Sequence, residues 1–168
     1  DGATATDSAS ISIVNSAPIF DQVATIDPST DPYTGDQLTC SALATDPDGG
    51  VVNYSYSWQV NGQSAGTNQT FTVSSSVTDV GQSITCMVVA VDQDSEMTSS
   101  TSSAVTIMNS LPEIINPNLS PSTPDTMTTV SVSAGTYDAD GETVTISYEW
   151  HVIDALTGVD SVVYSGSG

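Results

Sequence analysis

The chain has 168 residues, 38% of them hydrophobic, and its 20 acidic side chains are set against no lysine, no arginine and one histidine, a formal net charge of -20. Without a basic patch to hold phosphates, binding to nucleic acid and to anionic membranes is excluded, and no apolar run is long enough to insert in a bilayer. The apolar residues are mostly Val, Ile and Ala among Ser and Thr, a β-favouring mixture that predicts an all-β protein.

The first residues, DGATATDSAS, lack the basic start and apolar centre of a signal peptide, so any export signal or anchor is expected outside this sequence. The next segment, ISIVNSAP (Ile11 to Pro18), returns as VTIMNSLP (Val105 to Pro112), 94 positions on. Likewise ATDPDGGVVNYSYSWQV returns as TYDADGETVTISYEWHV, which lays Asp46 on Asp138, Asp48 on Asp140, Gly49 on Gly141, Tyr56 on Tyr148 and Trp58 on Trp150, each 92 positions on. That period is the length of one small β-sandwich. Residues 1–15 then read as the last strand of a preceding or neighbouring repeat, 16–109 as a complete domain, and 110–168 as the first strands of an incomplete one. A sandwich without its last strands exposes edges and half a core. The expectation is a window on a longer array, with further repeats of the same protein as partners, or an identical chain that supplies the strand.

Within the repeat, period-two alternation assigns the inward faces. Leu38, Cys40, Ala42 and Ala44 point one way in DQLTCSALAT, as do Tyr54, Tyr56, Trp58 and Val60 in NYSYSWQV. Ile84, Cys86, Val88 and Ala90 follow in SITCMVVAVD, then Val105 and Ile107. The later copy offers Val130, Val132 and Ala134, then Ile146, Tyr148, Trp150 and Val152. Cys40 and Cys86 are the only cysteines, a count that permits one disulfide and, if it forms, an oxidising compartment. Val132 stands where Cys40 stood, so the later copy cannot make the same bridge.

The order Cys40, Trp58, Cys86 resembles the immunoglobulin arrangement, in which two strands of opposite sheets are bridged over a tryptophan. With its NSAP linker, TDPDG loop and SYSWQVNG strand, the repeat is similar to the tandem immunoglobulin-like and PKD-type (polycystic-kidney-disease-type) modules of large bacterial and archaeal surface proteins. The resemblance implies tandem immunoglobulin-like Greek-key β-sandwiches in an extracellular or cell-surface protein. Two positions depart from it: Ile84 stands where an antibody-type domain has its corner tyrosine, and QVNG follows Trp58 where a PKD module has a WDFGDG-like run.

In that topology the loop after the second strand and the loop before the last strand meet at the junction with the preceding domain. Asp46 and Asp48 in the first loop, Asp92 and Asp94 in the second, and the carbonyls of Asn15 to Pro18 form a candidate calcium set. Calcium takes six to eight hard oxygens, and acidic residues in a Gly-containing turn deliver them with little strain. Asp138, Asp140 and Glu142, with Asn109, repeat the set at the next junction. DPDGG and DADGE are equally the composition of ordinary tight turns, and neither is a full EF-hand loop. Asn53, Asn68 and Asn118 satisfy the glycosylation sequon. His151, next to Trp150 on a predicted strand, is expected to face solvent and not to serve as a base. With no Lys or Arg, nucleophilic and phosphoryl-transfer schemes lack their usual parts, so no enzyme is expected. The function indicated is a structural module of a stalk, fibre or filament; the alternative is an adhesin binding glycans or a partner cell.

Overall fold

The structure, a computed structural model, describes residues 1–30 and 32–167, and these form strands and no helix. In the middle of the chain each run of β-branched and aromatic residues alternating with Ser and Thr is extended. In order these are β1 (Ile19–Asp27), β2 (Gln37–Thr45), β3 (Asn53–Val60), β4 (Gln63–Gly66), β5 (Thr70–Thr72), β6 (Ser83–Val91), β7 (Met97–Thr101) and β8 (Val105–Thr106). One antiparallel sheet has the order β1-β2-β5; the other runs β4-β3-β6-β7, with β8 also on β6. β3 turns into β4 through Asn61 and Gly62, both at positive φ (47° and 78°), the two-residue hairpin geometry that follows strand twist.

The alternating apolar faces of these two sheets meet. Leu38 and Cys40 from one sheet and Trp58, Ile84, Cys86 and Val88 from the other are fully buried and form one core with Phe71, Val73, Val105 and Ile107. Trp58 is central to it. Its ring stacks on Phe71 at 5.4 Å between centroids, and its Nε1–H donates to the carbonyl of Asn68 at 2.8 Å, so the one polar atom of the indole is satisfied. Cys40 and Cys86 form a disulfide across the two sheets, and Cys86 stands directly opposite Trp58 in the β3–β6 ladder. With a sequence separation of 46, the chain-entropy account gives this link about 4 kcal/mol of stabilisation.

Beyond residue 108 come β9 (Glu113–Ser120), β10 (Ser131–Tyr137), β11 (Ser147–Ile153) and β12 (Asp160–Ser167). They pair as two separate antiparallel hairpins, β9 with β10 and β11 with β12. The β9–β10 hairpin repeats the register of β1–β2 at both ends: Ile19↔Thr45 corresponds to Glu113↔Tyr137, and Asp27↔Thr39 to Ser120↔Ser131. The offset between the copies therefore falls from 94 at the start of the first strand to 93 at its end and 92 across the second. One residue is lost inside the irregular, bulged part of β9 and one in the following loop, both places where a deletion leaves the paired ends in register.

The core is not repeated. Among residues 109–167 no side chain is buried. Val132 and Val152, expected on inward faces, are exposed, and Val130, Ala134, Ile146, Tyr148 and Trp150 are only half-buried. Alternation places these residues on one face, but within residues 109–167 no strand stands where β6 to β8 close the middle unit. β12 lies past the Trp strand, where the repeat had been read as ending, and begins after the loop 154–159 instead of a two-residue turn. Asp154 organises that loop by accepting from the N–H groups of Leu156 and Thr157 and from the Thr157 hydroxyl.

Candidate functional site

Both Asp-X-Asp-Gly loops are built the same way. The first aspartate shapes the turn: Asp46 Oδ1 accepts the N–H of Asp48 at 2.9 Å, and Asp138 Oδ1 accepts the N–H of Asp140 at 2.9 Å. The glycine N–H returns to the first aspartate's carbonyl, from Gly49 to Asp46 and from Gly141 to Asp138. Gly49 and Gly141 sit at φ 82° and 81°, where a side chain would be strained.

The second aspartate is thereby aimed at the linker. Asp48 Oδ2 accepts the backbone N–H of Ser16 at 2.6 Å, and Asp140 Oδ2 accepts the backbone N–H of Ser110 at 2.6 Å. The linkers NSAP and NSLP are thus fastened by equivalent bonds. Asp140 makes one more, from the Thr34 hydroxyl to its Oδ1 at 2.5 Å. Thr34 lies in the β1–β2 loop of the middle unit, so one carboxylate ties that unit, the linker and the β10–β11 loop together. Asp140 is half-buried in this position, whereas Asp48 is exposed.

Asp92 completes the first junction. It is buried, its Oδ1 accepts the N–H groups of Asp94 and Glu96 at 2.9 Å each, and its Oδ2 accepts the side-chain amide of Asn15 at 2.8 Å. The two loops lie against each other: a Cβ placed on Gly50 would come within 3.3 Å of Asp46 Oδ2 and 3.8 Å of Gln93 Cδ.

These donors fix the electrostatics. Burial at Asp92 opposes ionisation, but the hydrogen bonds from Asn15 and from the N–H groups of Glu96, Asp94 and Ser95 outweigh it and hold the pKa below the usual carboxylate value. At Asp140 the Thr34 hydroxyl is the main cause of a lowered pKa, burial works against it, and Ser110 adds to the lowering. Both groups are anionic acceptors in strong, charge-assisted bonds.

The linker contributes donors to the aspartates: the Asn15 side-chain amide and the backbone N–H groups of Ser16 and Ser110. Thr34 and the amides of Ser16 and Ser110 were not read from the sequence, because a backbone N–H has no residue signature and Thr34 is distant from both loops. Asp94 lends its backbone N–H to Asp92 while its side chain is exposed; Glu142 is exposed, and Asn109 turns its amide onto the carbonyl of Ser110. Among the described residues no three Asp, Glu, His or Cys side chains come together as a ligand set for an ion.

His151 is exposed on β11, with Nδ1 3.0 Å from Asp160 Oδ1 across the hairpin and Nε2 3.5 Å from Glu149. Asp160 is the main cause of its raised pKa. Asn53, Asn68 and Asn118 are all exposed. Comparison of the chain with protein-family models, with curated proteins and with solved structures gives no match.

Proposed function

We propose that the chain is a run of tandem immunoglobulin-like Greek-key β-sandwich modules whose role is mechanical, as part of an extracellular stalk, fibre or filament. The observation that carries this reading is the equivalence of the two junctions, where Asp48 holds Ser16 and Asp140 holds Ser110 by the same atoms at the same distance. A carboxylate that bonds a linker amide restrains the direction in which one module follows another, and such a restraint has value only where relative orientation matters. Further support comes from the matching β1–β2 and β9–β10 registers, and from the sheet orders β1-β2-β5 and β4-β3-β6-β7 joined by the Cys40–Cys86 bridge beside Trp58. The disulfide suits an oxidising exterior, where the acidic surface also meets screening salt. No helix among the described residues is long and apolar enough to cross a membrane.

Calcium belongs to this proposal as a second means of stiffening the same loops. It would act by drawing carboxylate oxygens of Asp48 with Asp46, Asp92 and Asp94, or of Asp140 with Asp138 and Glu142, into one oxygen shell. The deciding experiment compares the native chain with Asp140→Ala by small-angle scattering and residual dipolar couplings, with and without calcium. The expected result is one fixed orientation between the middle and following units in the native chain, and independent tumbling in the variant. Equal orientational freedom in both would overturn the mechanical reading; orientation that tightens only with calcium would assign the joint to the ion.

A further inference from the structure

In a chain whose carboxylates have no lysine or arginine to offset them, the larger sheet of the middle unit is built without any. β3, β4, β6 and β7 together contain no Asp, Glu or His. The outward sides of these strands follow from their ladders, because residues directly opposite share a face. Ser55, Val89 and Ser99 form one row, with Val91 and Met97 in the row on one side and Met87 and Ser57 in the row on the other. The other outward positions are Asn, Gln, Ser or Thr. Met87, Val89 and Val91 are half-buried, Met97 is 62% exposed, and Met87, Val89, Met97 and Ser99 line an open hollow of about 210 Å³.

Other sheets of the molecule are not made this way. The smaller sheet carries Asp21 and Asp27, both exposed, on β1, and the following unit has Glu149 and His151 where the middle unit has Ser57 and Gln59. The charge-free surface is therefore particular to the larger sheet of the middle unit and not a general property of the fold. A cationic partner would be drawn to the carboxylates and would gain no ionic contact here. An acidic partner is repelled by the carboxylates elsewhere, whereas on this face it meets neutral hydroxyls, amides and apolar side chains. The acidic partner at hand is another copy of the chain, with its own formal net charge of -20.

We propose that this face packs against the same face of a second copy, a side-by-side contact between chains that goes beyond the end-to-end joints of the tandem-module reading. The contact is isologous: Met87 and Met97 of each copy enter the hollow of the other, where flexible thioether side chains adapt to the opposing surface. Strand spacing of about 4.8 Å across β4, β3, β6 and β7, and about 3.4 Å per residue from Asn53 to Gln59, give a face of roughly 450 Å² per copy. About 900 Å² in total is below the 1,200 Å² or more of stable complexes, so a single contact is weak and reversible. Pairing in register is favoured, because a slipped neighbour would set Glu149 against the neutral face and strip its water without offering a partner. The remaining carboxylates repel across the contact, so added salt strengthens it by screening.

The test follows the whole chain by NMR and sedimentation equilibrium from dilute to millimolar concentration, at low and high sodium chloride. The chain is used without glycans, since a sugar on Asn53, in the row of Val91, would part the two faces. Native chains are expected to show concentration-dependent shifts at the amides of β3, β6 and β7, larger at high salt, and a mass that rises toward a dimer. A Ser55→Glu, Ser99→Glu double variant sets carboxylates on both sides of Val89 at exposed positions, and is expected to keep its melting temperature and to associate at least about tenfold more weakly. A Gln37→Glu, Ser41→Glu double variant adds the same charge at exposed positions of β2, in the other sheet, and is expected to associate like the native chain at high salt. A native chain that stays monomeric at high salt, shifts that map to another surface, or equal weakening in both double variants would overturn the inference. The orientation measurement on Asp140→Ala judges the joints separately, so either can fail without the other.

Discussion

The middle unit and the unit that follows it carry the same pattern of residues and reach different degrees of completion. Both have an Asp-X-Asp-Gly turn, a bulged first hairpin of equal end register and a tryptophan on the strand that follows the loop. In the middle unit Trp58 is fully buried between two sheets, while Trp150 is half-buried beside an open groove. The difference teaches that alternation determines which face a residue takes, and that burial on that face depends on strands contributed from far along the chain.

The most severe way to break this comparison is to remove each indole. Trp58→Ala deletes a fully buried, hydrogen-bonded side chain and is expected to destabilise the middle unit by about 3–5 kcal/mol. Trp150→Ala is expected to cost about 1 kcal/mol or less, since its surroundings are already open to water. Urea unfolding of each variant followed by NMR at the amide signals of the unit that lost its indole measures both; equal losses would show that the two environments are equivalent after all. Reduction of the disulfide ranks next. It is expected to lower the stability of the middle unit by up to about 4 kcal/mol and to leave hydrogen exchange in β9 to β12 unchanged, because Val132 replaces the cysteine there.

Smaller effects sharpen the contrast between the junctions. Asp140→Asn weakens the acceptor for both Thr34 and Ser110, and about 1 kcal/mol is expected to be lost from the local opening free energy at the Ser110 amide. Asp48→Asn, which touches only the exposed Ser16 bond, is expected to lose less by the same hydrogen-exchange measurement.

Acid acts on the same bond. The Asp140 pKa lies below its ordinary value of 3.8, so the carboxylate's contribution is fully present above that value and is lost as pH falls through the folded-state pKa. Protection of Ser110 should therefore be constant from neutral pH down to about 4 and fall only in stronger acid. At His151 the sign is opposite. Its pKa is raised above 6.5 by Asp160, so the interaction is complete below 6.5 and disappears as pH rises through the folded-state value. An imidazole titration by NMR with a midpoint above 6.5, moved down by Asp160→Asn, is the expected outcome.

Much of the middle unit was legible in the sequence. Leu38, Cys40, Trp58, Val60, Ile84, Cys86, Val88, Ala90, Val105 and Ile107 were assigned inward by period two and are buried, because this sheet pair has both of its layers. Ala42, Tyr54 and Tyr56, assigned with them, are half-buried. Tyr54 places its hydroxyl on the backbone of Ala44, which keeps a polar tip near the edge. The same rule assigned Val132 and Val152 inward, and both are exposed, Val132 on the lining of the hollow between the hairpins. At the junctions the aspartates were visible and their partners were not. The turn composition identified Asp46, Asp48, Asp138 and Asp140, but a carboxylate is equally suited to a cation and to an N–H donor. The fold shows the N–H donors that face Asp48 and Asp140.

The linker bonds run to the amide nitrogens of Ser16 and Ser110 and not to their side chains. The identity of the residue at those positions is therefore almost free to drift: nineteen of the twenty amino acids carry the required hydrogen, and proline alone would unfasten the hinge. On the proposed tandem-module reading, copies could diverge in this way and keep their joint while the spacer sequences become unrecognisable, so long as one aspartate in the facing turn persists.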